Sequence, residues 1–589
     1  MAVGALATIH AADLQLAVAP AFSENFVSGN GTVPIICDLQ NNGPDAKGVL
    51  VVGTEGNSVQ IPVDLPQGAQ KRYFAYVTWD YSNLDVTLAT NRGALRKQLE
   101  PKFNGNPGKT NVLSISDLPG QLSLLRGKTE SLIFNGTDCA VENAPPRMAG
   151  YRAVRVIVLG EGSERLSDAQ VDALQMWTLR GGTLIFTGGA SSLVLDDPRW
   201  TPYLPVRNSR VTTRPVGPWL GSVDRRGIPS VLTLREGQRI AGSKNLDTPL
   251  ITVRPFGIGR IVQMAVNPFD ESVRAWQGRV GLVVRSMRYA QSGQSSQFLA
   301  NDPDPNMAGG WSGGRMESSS AFQIELPKTS KIVWILIAYF VCVVPLNFLI
   351  LRKMKRAELA WVTAPILALG FAGVLLGSAK ALYSAGLSTA TQGVLLLQQG
   401  VPDAMFEGSA QIFFPNGGQY DLKLESADYV SSLSQGRGVM FGGMANQVQV
   451  VETGDQMNVP ALSATNLSFE EILLSRRVNQ AGGWVEVERM GFAVKVTNRS
   501  PYEMQQVTVS SPTRYSGLFG LKPGETKTVG LPHAFVAPKP GFPNSRGFRS
   551  VSGAFVQGNL VGSRFGPQLG EETPGNSVRF AFQSQVDVP

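Results

Sequence analysis

Residues able to do chemistry are scarce in this 589-residue chain, which has only two histidines, His10 and His533, and three cysteines, Cys37, Cys139 and Cys342. Catalytic triads, metal sites and most proton relays lean on histidine, so this near-absence argues against hydrolytic and metal-assisted catalysis. Ser191 sits in Gly188-Gly189-Ala190-Ser191-Ser192, a glycine-flanked turn of the kind that can present a nucleophile. It has no histidine base and no nearby lysine suggests itself as one, so a polar turn at a sheet edge is the expected role. Gly257-Ile258-Gly259-Arg260 has the glycine spacing of a phosphate loop, but a strand pattern follows where a dinucleotide fingerprint opens a helix, which predicts a glycine hairpin. Asp302-Pro303-Asp304 lacks the glycine and terminal glutamate of a calcium loop and reads as solvated linker. The adjacent pair Asp196 and Asp197 would point to opposite sides of an extended chain. No catalytic, cofactor-binding or metal-ligating residue is therefore assigned.

The elements that would have to position these residues include two apolar runs, 332–351 and 359–381, uncharged but for Lys380 at the outer end of the second, with a short loop between them, 352–358. Twenty residues at 1.5 Å each match a hydrocarbon core of roughly 30 Å, which predicts two transmembrane helices. Arg352, Lys353, Lys355 and Arg356, opposed only by Glu358, mark the loop as cytoplasmic and put both large flanking regions on the other side. Trp334 and Tyr383 at the outer ends and Trp361 at the inner end suit the headgroup level, while Lys328, Lys331 and Lys380 add opposing charge outside. Pro345 and Asn347 fall in the first run, where the asparagine is expected to bond backbone freed by the proline. Gly370, Gly373 and Gly377 place small residues on one face of the second run, which fits packing against the first helix or docking of a partner helix.

The formal charge is +8, but a net three of these charges belong to the loop, and no basic run is interleaved with aromatics. Nucleic acid is not expected as a partner, whereas the lipid bilayer is. The length implies several cores. Residues 1–12 form an apolar run ending in small residues, a signal-peptide remnant or a first strand. Residues 13–105 carry short alternating strands with turns at Asn41-Asn42-Gly43-Pro44 and Leu65-Pro66-Gln67-Gly68, the pattern of an immunoglobulin-like β-sandwich. A comparable unit is expected at 481–535, where Asn498-Arg499-Ser500-Pro501 and Leu521-Lys522-Pro523-Gly524 stand at nearly the same separation.

Residues 106–290 alternate strands with helices. The run 156–159 is uniformly apolar, as in a doubly covered parallel sheet. Ser167 and Gln170 then form a capping-box pattern, and Gly181-Gly182 stops the helix. A last helix is expected to put Val273, Trp276, Val280, Val283 and Met287 on one face. Residues 291–331 read as a linker, 382–480 as another β region, and 536–589 as an extended or partly disordered tail. The expected fold is thus a multidomain membrane protein with sandwich, α/β, hairpin and C-terminal β parts.

The strand, helix, strand run ending in Gly188-Gly189 resembles the class I glutamine amidotransferase-like fold in a degenerate form. The position of the active cysteine holds Ala190 and Ser191, and no histidine lies between His10 and His533. The run Val344-Pro345-Leu346-Asn347-Phe348-Leu349-Ile350-Leu351-Arg352-Lys353, followed by Arg356-Ala357-Glu358-Leu359-Ala360-Trp361, is similar to the hairpin of a bacterial membrane protein family. That family combines an exported sandwich, such a degenerate domain and a C-terminal β region. Its members are often encoded beside MoxR-type ATPases and von Willebrand factor A proteins. The resemblance implies other envelope proteins as partners, no glutaminase activity, and a two-pass inner-membrane scaffold or accessory subunit. Its rivals are a sugar- or ligand-binding protein or hydrolase using the α/β cleft, and an auxiliary transporter subunit.

Overall fold

The computed structural model describes residues 13–22, 31–54, 57–79, 82–100, 109–126, 134–217, 220, 223–239, 250–288, 329–353, 359–383, 386–432, 448–454, 456–466, 468–491, 493–511, 514–534, 548–550, 553–567, 569, 571–572 and 577–587. The expectations for 1–12, for most of the 291–331 linker including Asp302 and Asp304, and for Lys355 and Arg356 lie outside these residues. The described chain is predominantly β and divided among several sheets, the coarse architecture that the sequence predicts.

Near the N-terminus, strands Leu14–Pro20, Gly31–Asn41 and Gln70–Trp79 form an antiparallel sheet that faces a second sheet containing Ala46–Thr54, Asn57–Leu65, Leu84–Thr90 and Gly93–Leu99. Alternation turns Val33, Ile35, Cys37 and Leu39 into the core between them. Ile36 points the other way, into the α/β core that also holds Cys139. The two thiols thus lie on opposite sides of one sheet and are both free. The second sheet is not confined to this region: Val448–Thr453 joins it by parallel pairing with Asn57–Leu65, bringing Gln456–Ala464 and Gly418–Glu425 with it. Chain that follows the apolar helices thereby completes a sheet begun long before them.

Asn41 and Asn498 are both fully buried and make the same bonds in two different places. Asn41 Nδ2 donates to Leu65 O at 2.8 Å and Pro44 O at 2.9 Å, and its Oδ1 accepts from Gly43 N. Asn498 Nδ2 donates to Leu521 O at 3.2 Å and Tyr502 O at 2.9 Å, and its Oδ1 accepts from Ser500 N. Gly68 N and Gly524 N donate to the carbonyls of Asn41 and Asn498, with both glycines at positive φ. The paired turns that look alike in sequence are therefore each held by one asparagine, which satisfies buried loop carbonyls.

The α/β sheet runs in the order Phe548–Ser550, Ile251–Phe256, Gly259–Met264, Thr183–Phe186, Val156–Leu159, Thr110–Ile115, Phe134–Cys139. Neighbours are parallel except for the hairpin of Ile251–Phe256 with Gly259–Met264, whose turn uses Gly257 at φ 58°. Helix Asp168–Leu179 covers one face and carries the expected capping box, Ser167 with Gln170. Helix Gly278–Arg288 covers the other. That second helix is shorter than expected: Val273 ends a 3-10 turn and Trp276 precedes the helix, although both are buried with Val283 and Met287. Gly278 sits 2.3 Å, at its implied Cβ, from Asp224 O, and this close approach of backbone fixes where the helix starts.

Within 536–589, expected to be extended or partly disordered, the described residues include two long strands. Gly553–Val561 and Ser577–Asp587 pair with each other and occupy the middle of an eleven-stranded sheet. Ser577–Asp587 is parallel to Ser388–Gln398, and Gly553–Val561 is antiparallel to Glu503–Ser510. The tail therefore joins the two β regions expected at 382–480 and 481–535. Its Val556, Val578, Phe580 and Phe582 are buried in one core, while Phe555 and Ala581 are buried in the core shared with the α/β domain. Burial on both faces stabilises such strands by roughly 1.5–3 kcal/mol per large side chain, which outweighs a glycine- and serine-rich composition.

Between the two halves lie Thr329–Val341, a π-turn at Cys342–Leu346 containing Pro345, Asn347–Lys353, and then Ala360–Tyr383. The π-turn accommodates the proline within an otherwise continuous helix. Arg352 and Lys353 end this first helix and do not begin the loop, where their charges complement the negative end of the helix dipole.

Candidate functional site

Sheets of parallel strands usually bind ligands at their carboxyl edge, and in this chain that edge is filled by its own polar groups. Ser114 Oγ donates to Gln121 Oε1 at 2.8 Å, Gln121 Nε2 donates to Ser116 Oγ at 3.0 Å, and Ser116 Oγ donates to Glu161 O. A Cβ on Gly160 would meet the Gln121 side chain at 2.7 Å, so the glutamine lies directly over the end of Val156–Leu159. Beyond Thr183–Phe186, Thr187 Oγ1 donates to Leu159 O and lies 3.0 Å from Ser192 Oγ, which donates to Gly188 O. Ser191 has Asn267 Nδ2 at 3.5 Å from its Oγ. Gly188 passes so close to the next strand that a Cβ would sit 2.2 Å from Ala265 O, and Gly189 has φ 79°.

Arg235, which is 6% exposed, locks this turn. Its guanidinium donates to Gly189 O, to Ser192 O and, through two bonds of 2.9 and 2.8 Å, to Asp196. Asp197 turns instead to Arg199. Burial pushes the Asp197 carboxyl up, but the Arg199 bonds outweigh it and hold it below the usual range. The adjacent aspartates thus serve two separate arginines. No local sequence signal points to Arg235, because its partners arrive from a turn about forty residues earlier.

A second concentration of polar groups lies where the α/β domain, the N-terminal sheets and the large sheet meet. Glu407, 7% exposed on strand Ala404–Phe414, accepts from Arg152 at 3.0 Å and Arg180 at 2.7 Å, and from Ser475 Oγ. Burial pushes this carboxyl up, yet Arg180 and Arg152 outweigh it and the net shift is downward. The Arg152 guanidinium lies 4.0 Å from the centre of the Tyr429 ring. Arg147 pairs with Glu452 at 3.2 Å, and Arg477 pairs with Asp172 and approaches Asp403 at 3.6 Å. Tyr76, Ala149 and Tyr429 form the apolar floor. Sequence reasoning missed this cluster because Glu407 is 255 residues from Arg152 and 227 from Arg180.

Among the described residues, side chains of the two apolar helices meet at Asn347 and at Tyr339. Asn347, 9% exposed, accepts from Thr363 Oγ1 at 2.9 Å, and Tyr339 packs edge-on to Phe371 at 5.4 Å. The Asn347 side-chain oxygen is thus engaged with the second helix. Gly370 and Gly373 have open space at their implied Cβ positions, so the contacts between these helices run along another face. Gly377 lies on the helix beyond the last residue whose surroundings are described. Among the described residues, one helix, Leu336–Lys353, is long and apolar enough to cross a membrane, and Trp361–Gly373 forms a shorter apolar stretch.

A family described as a domain of unknown function (DUF8726) matches residues 13–102. No curated protein matches the chain. Among solved structures, an exo-beta-1,4-mannosidase from Opitutaceae bacterium strain TAV5 aligns at 11% identity and a TM-score of 0.21, over 31% of this chain and 36% of that one. The chain therefore spans about a third of the mannosidase. The yeast delta-COP-I mu-homology domain aligns at 6% identity and a TM-score of 0.19, over 34% and 96% of the two chains. A cycloisomaltooligosaccharide glucanotransferase from Paenibacillus aligns at 7% identity and a TM-score of 0.16, over 79% and 72%.

Proposed function

We propose that this chain is a two-pass integral membrane protein whose exported body acts as a non-enzymatic scaffold or accessory subunit of a bacterial envelope complex. The observation that carries this reading is the joining of the chain before and after the apolar helices into one body. Val394, Leu396, Val401, Met405, Phe555 and Ala581 share a buried core with the α/β sheet, and Val448–Thr453 extends a sheet begun by Asn57–Leu65. Two segments packed in one core occupy one side of a bilayer, so the chain between them crosses an even number of times. Pairing of Tyr339 with Phe371 and of Asn347 with Thr363 suits an antiparallel hairpin, and the charges at Arg352 and Lys353 favour a cytoplasmic turn.

The scaffold reading also rests on the carboxyl edge of the α/β domain, a degenerate amidotransferase-like unit in this proposal, where polar groups are engaged with one another. The N-terminal and C-terminal packed sheets are taken as immunoglobulin-like. Gly370 and Gly373 offer a close-approach face to a partner helix, the type of contact that holds helices together in lipid.

Single cysteines at the exposed positions Ala169 and Lys522, and at Lys355, test the topology in a Cys342→Ala background. The buried Cys37 thiol, pushed up to about 12 by burial and the neighbouring Asp38 carboxylate, stays unreactive. On spheroplasts an impermeant thiol reagent should label the positions at 169 and 522 and leave 355 untouched. Labelling of 169 and 522 from opposite sides would end the proposal, and labelling of 355 alone would reverse the orientation.

A further inference from the structure

Strand Ala427–Ser432 forms one edge of the large sheet and pairs antiparallel with Ser468–Val478. Its register slips between Ala427 and Tyr429, which makes Asp428 the extra residue of a β-bulge. Ser426, just before it, has φ 52°, a left-handed conformation that costs energy in a residue other than glycine. Asp428 is thereby taken out of the ladder, and its Oδ2 is buried without a hydrogen-bond partner.

The groups around it come from six elements that meet at the junction. Arg477 faces it from Ser468–Val478, Arg147 from the loop before the Met148–Tyr151 turn, Asp172 from helix Asp168–Leu179 and Glu407 from Ala404–Phe414. Tyr76 and Glu452 approach from Gln70–Trp79 and Val448–Thr453. Both nearby arginines are committed elsewhere, Arg147 to Glu452 and Arg477 to Asp172. A carboxylate at this position would add a negative charge to a buried cluster whose cations already have partners, and such a charge is expensive.

We infer that Asp428 is a proton-operated lock on edge strand Ala427–Ser432. The neutral carboxyl lets the strand seat in the junction, and the ionised carboxylate loosens it. Burial is the largest influence on this carboxyl and pushes it up; Arg477 and Arg147 pull it down, Asp172 and Glu407 add to the rise, and it stands at about 6. In a released strand it returns to the ordinary carboxylate value of about 3.9. The seated strand therefore holds a proton that the released strand has lost between these values. The lock is complete in acid, weakens about tenfold per pH unit as pH rises through this window, and levels off beyond its upper end.

Hydrogen exchange of the strand in the full chain, reconstituted in lipid nanodiscs and corrected for intrinsic chemical rates, reads this directly. Between about pH 4.5 and about pH 6 opening should increase about 13-fold, with about a further twofold before it levels off above about pH 7. Asp428→Asn should keep the strand closed across the range. Asp172→Asn removes a like charge but leaves Asp428 able to titrate, so its transition should persist with a lower midpoint. Equal protection at all pH values in the wild type, an unchanged response in Asp428→Asn, or a midpoint raised by Asp172→Asn would each overturn the inference.

Discussion

The carboxyl edge of the α/β sheet and the three-domain junction both bury polar side chains, but they use them in opposite ways. At the edge, serines, a glutamine and one arginine bond within a single domain, and the one close pair of aspartates is divided between Arg235 and Arg199. At the junction, arginines of the α/β domain reach carboxylates more than two hundred residues away. Where such sheets usually bind ligands, the described polar groups bond to one another, while the densest buried charge described above lies between domains. Charge concentrated where parts meet belongs to a molecule organised to hold its parts in register.

Three substitutions probe this contrast in order of decreasing effect. Glu407→Ala strands Arg152 and Arg180 without their shared acceptor, and removal of one member of a buried charge network costs about 3–5 kcal/mol. Denaturant unfolding should register that loss, with proteolysis appearing first between the α/β domain and the large sheet; a cost under about 1 kcal/mol would reduce the junction to a surface ion pair. Arg235→Ala leaves Asp196 half-exposed and able to hydrate, but it orphans the buried carbonyls of Gly189 and Ser192. The expected cost is about 1–3 kcal/mol, confined to the turn after Thr183–Phe186. Ser191→Ala should fall within about 0.5 kcal/mol of the wild type and change no activity. An esterase or amidase activity abolished by that last substitution would invert the comparison and make the edge the working site.

Legibility in sequence followed the distance over which each feature is encoded. The capping box at Ser167 and Gln170, the stop at Gly181-Gly182 and the turns around Asn41 and Asn498 are local chemistry, and the structure realises each of them. The even spacing of the two asparagine-held turns was visible, although the bonds that explain it were not. The spacing of Val273 and Trp276 extends the expected helix beyond Gly278–Arg288 because a 3-10 turn and the loop after it bury both at helical spacing. The sheet position of the tail is illegible for a different reason: Val578, Phe580 and Phe582 alternate correctly, but the partner that makes them a strand, Ser388–Gln398, lies far away across the apolar helices. The junction left no trace at all, since single arginines and glutamates look like ordinary surface charge until folding brings them together.

The central claim is that chain on either side of the apolar helices forms one body. A protease site placed in the 354–358 loop of the detergent-solubilised full chain divides the protein into two fragments, each keeping one apolar helix. The two fragments should remain together through gel filtration at moderate salt and retain the unfolding transition of the uncut protein, because the shared core and the parallel pairing of Asn57–Leu65 with Val448–Thr453 hold them. Separation into two species that each stay folded would contradict the account and return the two halves to independent domains joined only through the apolar helices.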